Sequence, residues 1–232
     1  MKLNLRQAAE SVQLEAAELK HAAQRGELEA VERGGDWFFD DSGLHEWAQR
    51  LVLASAPRRL ATHHKALESH RRVSGADTNI AGLFREESID LALRSKTKAG
   101  VLRDMTDLAA ASGLVYDPDA LFRGLAAREE AASTAIGAGA AFLHMKELDP
   151  YVFEDFFIAY ARSTRPVFFG APDGAATTHF FLVCSNSHER HLHVLARLAV
   201  LAHGTDLLER LLEAQSAMEV LDAVRLSEAG MI

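Results

Sequence analysis

Three short stretches hold the side chains best suited to chemistry. GAGAAFLHMK at 137–146 is a run of small and apolar residues in which an apolar strand ends on His144, REEAASTAIGAG fills 128–139, and HERHLH fills 188–193. An imidazole at a strand end is held rigidly, and its neutral form near pH 7 is a nucleophile able to accept a phosphoryl group. Phosphoryl transfer has a loose transition state, so a protein mainly positions the reactants and surrounds the phosphate oxygens with donors. Arg128 offers a guanidinium fork, Ser133 and Thr134 offer hydroxyls, and Gly137 and Gly139 let backbone N–H groups approach closely. His191 falls near the start of a helical stretch, where free N–H groups favour an anion. A zinc site would need three or four converging ligands. His188 and His191 share a helical face, but His193 is only two residues from His191 and points elsewhere, so no metal is expected. None of these groups calls for a cofactor.

Such residues need a scaffold that sets a strand end against a helix start. From residue 79 strand-like and helical stretches alternate. SIDLAL at 88–93, FFIAYARS at 156–163 and HFFLVCS at 179–185 read as strands. KAGVLRDMTDLAAASG at 98–113 places Val101, Leu102, Met105, Leu108 and Ala109 on one helical face, and DPDALFRGLAAREEA is a helix capped by Asp117 with Pro118 in its first turn. ERHLHVLARLAVLA, TDLLERLLEAQ and AMEVLDAVRL are three amphipathic helices. Strands interleaved with helices predict a layered α/β domain over 79–232.

Residues 1–53 are organised differently. The strand LNL leads into the helical QAAESV, LEAAELKHAAQR is a second helix closed by Gly26, LEAV and DWFFD flank a Gly34-Gly35 hairpin turn, and GLHEWAQRLVL sets Leu44, Trp47 and Leu51 at helical spacing. Residues 54–78 hold Pro57, five basic residues and three histidines, and read as a basic linker.

The order of motifs in 79–229 resembles the type-2 IIA domains of the bacterial phosphoenolpyruvate-dependent sugar phosphotransferase system, the fructose, mannitol and nitrogen-regulator class. The family pattern is an Arg-Glu pair, then Ser/Thr-Thr-Gly-Ile-Gly-x-Gly, then an apolar strand ending Pro-His, then His-Leu-x-x-Leu opening a helix. Arg128 and Glu129, Ser133 and Thr134, Ile136, Gly137 and Gly139, His144, and His191 with Leu192 and Leu195 occupy these positions. Leu143 stands where the family has proline, Met145 where it has glycine, and Ala135 where glycine is usual. The resemblance implies a three-layer α/β/α domain with a mixed sheet. It also implies a phosphohistidine phosphotransferase in which His144 takes a phosphoryl group from an HPr-like phosphocarrier, with His191 and Arg128 as catalytic partners and Ser133, Thr134, Gly137 and Gly139 as phosphate contacts. The acceptor would be a IIB domain or a regulatory target. Residues 1–53 resemble the small winged helix-turn-helix domain of excisionase and MerR-type proteins, on Ala8, Ala9, the turn before Glu15, RGELEAV and GGDWFF. That resemblance implies a DNA contact through residues 1–53, and it favours signalling over sugar uptake. The competing expectations are a binding protein that keeps the fold without turnover, and a phosphorylation-sensing DNA-binding regulator.

Composition narrows the field. Of 232 residues, 48% are hydrophobic and 25% charged, values that suit a protein with a sizeable core. The net charge of −8 divides as −4 over 1–53, +3 over 54–78 and −7 over 79–232, so any nucleic-acid contact must be local. The most apolar run, VLARLAVLA at 194–202, is interrupted by Arg197 and too short for a bilayer, and a cytoplasmic protein is expected. The single cysteine, Cys184, lies in a strand-like run and reads as a small core residue.

Overall fold

The computed structural model describes residues 2–12, 14–54, 79–149 and 151–230. The basic stretch expected to be a linker lies, but for Ala54, outside the described residues. The first unit runs β1 (Lys2–Asn4), α1 (Leu5–Val12), α2 (Ala16–Gln24), β2 (Ala30–Arg33), β3 (Asp36–Asp40) and α3 (Asp41–Ala54). Gly34 and Gly35, both at positive φ, make the β2–β3 turn, and β1 adds to the far edge of β3 in an antiparallel sheet ordered β1-β3-β2. Leu19, Phe39 and Leu44 are wholly buried beneath it. Leu5, read as strand, instead opens α1.

The second unit runs β4 (Phe84–Leu93), α4 (Lys98–Ala110), α5 (Pro118–Ala131), β5 (Ala135–Gly137), β6 (Ala140–Leu143), β7 (Phe157–Val167), β8 (Thr177–Cys184), α6 (His188–Gly204), α7 (Leu207–Glu213) and α8 (Ala217–Ala229). Its five strands are ordered β4-β7-β8-β6-β5, parallel at β4–β7 and β6–β8 and antiparallel at β7–β8 and β5–β6. Strand period two explains the layering. Phe142, Ile158, Tyr160, Phe181 and Val183 face α6, α7 and α8, whereas Ala141, Leu143, Ala159, Phe180, Leu182 and Cys184 face α4 and α5. Both faces are apolar, so both must be covered, which gives the three layers that the family resemblance implies. The first strand begins four residues before the SIDLAL stretch, because Phe84 pairs with Ile158 across a bulge-interrupted ladder. Cys184 is buried, and burial pushes its thiol pKa up, as suits a core residue. Among the described residues no helix is long and apolar enough to cross a membrane.

Two contacts tie the architecture together. Helix α3 packs on α6, so that Leu192 of α6 joins the core of the first unit and Val52 of α3 joins that of the second. The carboxylate of Glu228, near the end of α8, accepts from the N–H groups of Ile80 and Ala81 at 3.0 and 2.9 Å and from Arg197 Nε at 2.9 Å. That group fixes the entry of the second unit to its last helix. Removing it takes the acceptor from two buried N–H groups and one ion-pair partner from the largely buried Arg197. Glu228→Ala is therefore expected to lower unfolding free energy by about 2–4 kcal/mol, read by urea denaturation, and Glu228→Gln by less.

Candidate functional site

Strands β6 and β8 are parallel and end side by side, Leu143 opposite Leu182. His144 follows the end of β6. Beyond β8 the chain turns at Ser185, which accepts from the N–H of Ser187, and Ser187 caps α6, so that His191 falls at the end of that helix's first turn. The rings of His144 and His191 then meet edge to face, with centroids 5.1 Å apart. Helix α5 ends beside the same strand end and delivers Arg128.

Arg128 Nε donates to His144 Nε2 at 3.0 Å, and Arg128 Nη1 donates to the carbonyl of Ala132 at 2.8 Å. His144 Nδ1 lies 2.8 Å from the carbonyl of Phe142. A guanidinium nitrogen can only donate and a carbonyl can only accept, so Nδ1 carries the proton and Nε2 the lone pair. The tautomer is thereby fixed, with Nε2 the nucleophilic atom. Burial, aided by the charge of Arg128, holds the His144 pKa down to about 3 despite the opposing Phe142 hydrogen bond. His191 is held well below its ordinary value by burial and by His144, His188, Arg128 and His45. Both imidazoles are neutral near pH 7.

The other expected contacts are distributed along the β5–β6 hairpin. Ser133 and Thr134 lie at the same sheet end as His144, since the N–H of Phe142 donates to the carbonyl of Thr134. Their hydroxyls are committed elsewhere: Ser133 Oγ donates to the carbonyl of Phe169 at 2.6 Å, and Thr134 Oγ1 to Glu129 Oε2 at 2.7 Å. Gly137 and Gly139, at φ +84° and +77°, form the turn at the opposite end of β6, about 13–17 Å from His144 at the usual rise per strand residue. That turn holds a carboxylate: the N–H of Ala138 donates to Asp173 Oδ2 at 3.1 Å, and a Cβ on Gly137 would lie 2.9 Å from the same oxygen. The structure thus brings Arg128, His144 and His191 together, and it leaves the two glycines away from them. Met145, which stands where the family has glycine, is buried over α5, where its side chain fills the space above Gly124. No group of His, Cys, Asp or Glu among the described residues is arranged to hold a metal.

Several neighbours were not foreseen. Glu129 takes Lys98 Nζ at 2.8 Å together with the N–H and hydroxyl of Thr134, fixing the start of β5 against α5. His45 of α3 stacks over His188, centroids 4.2 Å apart, and Glu46 and Arg50 act electrostatically on Arg128 with opposite signs. The sequence indicates the helix, through Leu44, Trp47 and Leu51, but not that it lies over this site. Just past α2, the exposed Arg25 is engaged by both oxygens of Glu27.

Residues 82–226 match the family described as phosphoenolpyruvate-dependent sugar phosphotransferase system, EIIA 2. The chain belongs to this family. It is 33% identical over 149 residues to the fructose-specific EIIA component of Haloferax volcanii, covering 63% of this chain and 95% of that protein. It is 30% identical over 152 residues to a nitrogen regulatory protein of Bradyrhizobium diazoefficiens, covering 65% and 97%. The nitrogen regulatory protein IIA-Ntr of Neisseria meningitidis shares the fold at a TM-score of 0.57 with 28% identity, over 63% of this chain and 99% of that one. IIA domains are phosphotransferases that act through histidine and interact with HPr and IIB domains. In the IIA unit of this chain Arg128 is bonded to His144, and His191 packs against it.

The buried imidazoles set a pH dependence. Unfolded, each protonates near pH 6.5. Folded, His144 does so only near pH 3 and His179, buried beside Tyr160 and near Arg162, near pH 4, with His191 depressed as well. Between these values the unfolded state binds more protons, so stability falls as pH drops below about 6.5, by up to about 1.4 kcal/mol per pH unit for each group. Thermal melts at pH 7.5, 6 and 5 should show a steadily falling midpoint, and a flat profile would rule out neutral burial of these three histidines.

Proposed function

We propose that this chain is a phosphocarrier that accepts a phosphoryl group on Nε2 of His144 from a phosphorylated HPr-like protein, and that its phosphorylation state serves signalling rather than sugar uptake. The observation that carries the reading is the pair of hydrogen bonds on His144, which leaves Nε2 as the only nitrogen able to attack. The Nε2–P bond forms as the donor's N–P bond breaks, and the electron pair stays with the donor imidazole. Arg128, released from Nε2 as that lone pair is used, turns its N–H groups to the phosphate oxygens, where a guanidinium fork is worth most. His191 lies close enough to donate to an oxygen from the α6 side, where the helix N-terminus adds its positive end. The signalling role is supported by the relatives named nitrogen regulatory proteins.

A second reading, a binding protein with the IIA fold and no turnover, is favoured by one fact: His144 is only 1% exposed. Intact-mass analysis after incubation with phosphoenolpyruvate, Enzyme I and HPr separates the two. The expected product is 80 Da heavier, acid-labile, absent in His144→Ala and formed at least ten times more slowly in His191→Ala. Loss of about one good transition-state donor corresponds to that factor or more. No adduct with several competent HPr donors would leave the binding role.

A further inference from the structure

Transfer requires the phosphorus to come within about 3–3.5 Å of Nε2, in line with its lone pair. No partner protein can reach it in the arrangement observed. His144, Arg128 and His191 are 1%, 1% and 0% exposed, and the Nε2 lone pair is occupied by Arg128. What lies against them on the α6 side is the first unit. His45 stacks over His188 at the start of α6, Leu192 is part of the first unit's core, Val52 enters the IIA core, and His45, Glu46 and Arg50 are near enough to act on His191 or Arg128.

The contact is not built like a permanent core. Among the described residues, Gln49 Oε1, His188 Nδ1 and both ring nitrogens of His191 are buried without a hydrogen-bond partner. Gln49 lies one turn beyond His45 on the same face of α3. A buried polar atom without a partner is destabilised relative to its hydrated state, so separating the two units recovers hydration that partly offsets the apolar area lost. Glu46 adds a second bias. A carboxylate close enough to act on Arg128 stabilises the guanidinium before transfer and opposes a phosphate dianion after it.

We propose that α3, with the unit it belongs to, is an intramolecular cap seated on the face where the phosphoryl donor must dock, and that it has to lift from α6 before His144 can react. This rests on the assignment of His144 as the acceptor, and it adds to that assignment the regulation of the same site. The donor protein and the cap compete for one surface.

The test uses the full chain in three forms: unaltered, Val52→Asp to unseat α3, and His45→Cys/His188→Cys joined by a short bis-maleimide with a reducible bridge to lock it. Cys184 stays out of the reaction, being wholly buried with its thiol pKa raised. Two rates are read on each form: carbethoxylation of His144 by diethyl pyrocarbonate, measured on the peptide that contains it, and phosphorylation by phosphoenolpyruvate, Enzyme I and HPr. Val52→Asp, with its helical content checked by circular dichroism, is expected to raise both rates at least tenfold over the unaltered chain. Locking should abolish both, and reduction of the bridge should restore them. Equal carbethoxylation of His144 in the unaltered chain and in the locked chain before and after reduction would overturn the cap, whether or not Val52→Asp folds. Carbethoxylation that follows the cap while no form takes phosphate supports the cap and overturns only the acceptor assignment.

Discussion

The hydrogen bond from Arg128 Nε to His144 Nε2 governs this molecule, because it unites a buried cation with a buried base and constrains everything around them. A guanidinium taken out of water must keep its donors engaged. Its donors go to an imidazole and to the carbonyl of Ala132, so the end of α5 must turn back at Ala132, and β6 must end at Leu143. This bond and the one to Phe142 together select the tautomer, and burial aided by the charge of Arg128 keeps His144 uncharged. The adjacent residue, Glu129, takes the complementary role: it gathers Lys98 and both donors of Thr134, and so pins the start of β5. One helix end thus fixes both strands of the hairpin that carries the site, through two neighbouring charges with separate partners.

The departures of this sequence from the IIA pattern become intelligible as packing. Leucine and methionine flank His144 where proline and glycine are usual. Proline would have set the backbone before the histidine by its ring. Here Leu143 is held in the sheet by pairing with β8 and by burial against α4 and α5. Met145 sits over Gly124, and the N–H of Lys146 donates to the Gly124 carbonyl at 3.2 Å, tying the segment after His144 to α5 from its other side. Tertiary contacts therefore do what local stiffness does elsewhere in the family. An unbranched, adaptable side chain over a glycine is a pairing that neither position suggests alone.

What was legible in the sequence follows from what is local. Period two in the strands, period 3.6 in the helices, Asp117 with Pro118 and the Gly34-Gly35 turn all act within a few residues, and the elements fall where they indicate. The order of strands was not legible from these signals, since β7 runs antiparallel to β8 by a register that no short window encodes. In the site, the histidines and Arg128 were legible as a motif, but motif adjacency is not spatial adjacency. Gly137 and Gly139 are five to seven residues from His144 and sit at the far end of a strand, where extended geometry carries them away. Ser133 and Thr134 are close in space, yet their hydroxyls satisfy Phe169 and Glu129 first, because a buried donor takes whichever acceptor the fold provides. Nothing in residues 41–54 distinguishes a helix packed only within its own unit from one that also covers a second.

That last point bears on why the two units share one chain. A phosphoryl group on His144 would place a dianion among imidazoles that burial keeps neutral. Two charges of α3 act on Arg128 with opposite sign: Glu46 supports the guanidinium and Arg50 opposes it. Adding negative charge reverses both preferences, and it also favours protonation of His191 and His188. The contact between α3 and α6 would therefore differ electrostatically before and after the proposed transfer. A covalent change at one buried nitrogen alters the balance of charges across an interface that already contains unpaired polar atoms. A small chemical event can be felt by the first unit for this reason, without any long path between them: the site and the interface use the same residues.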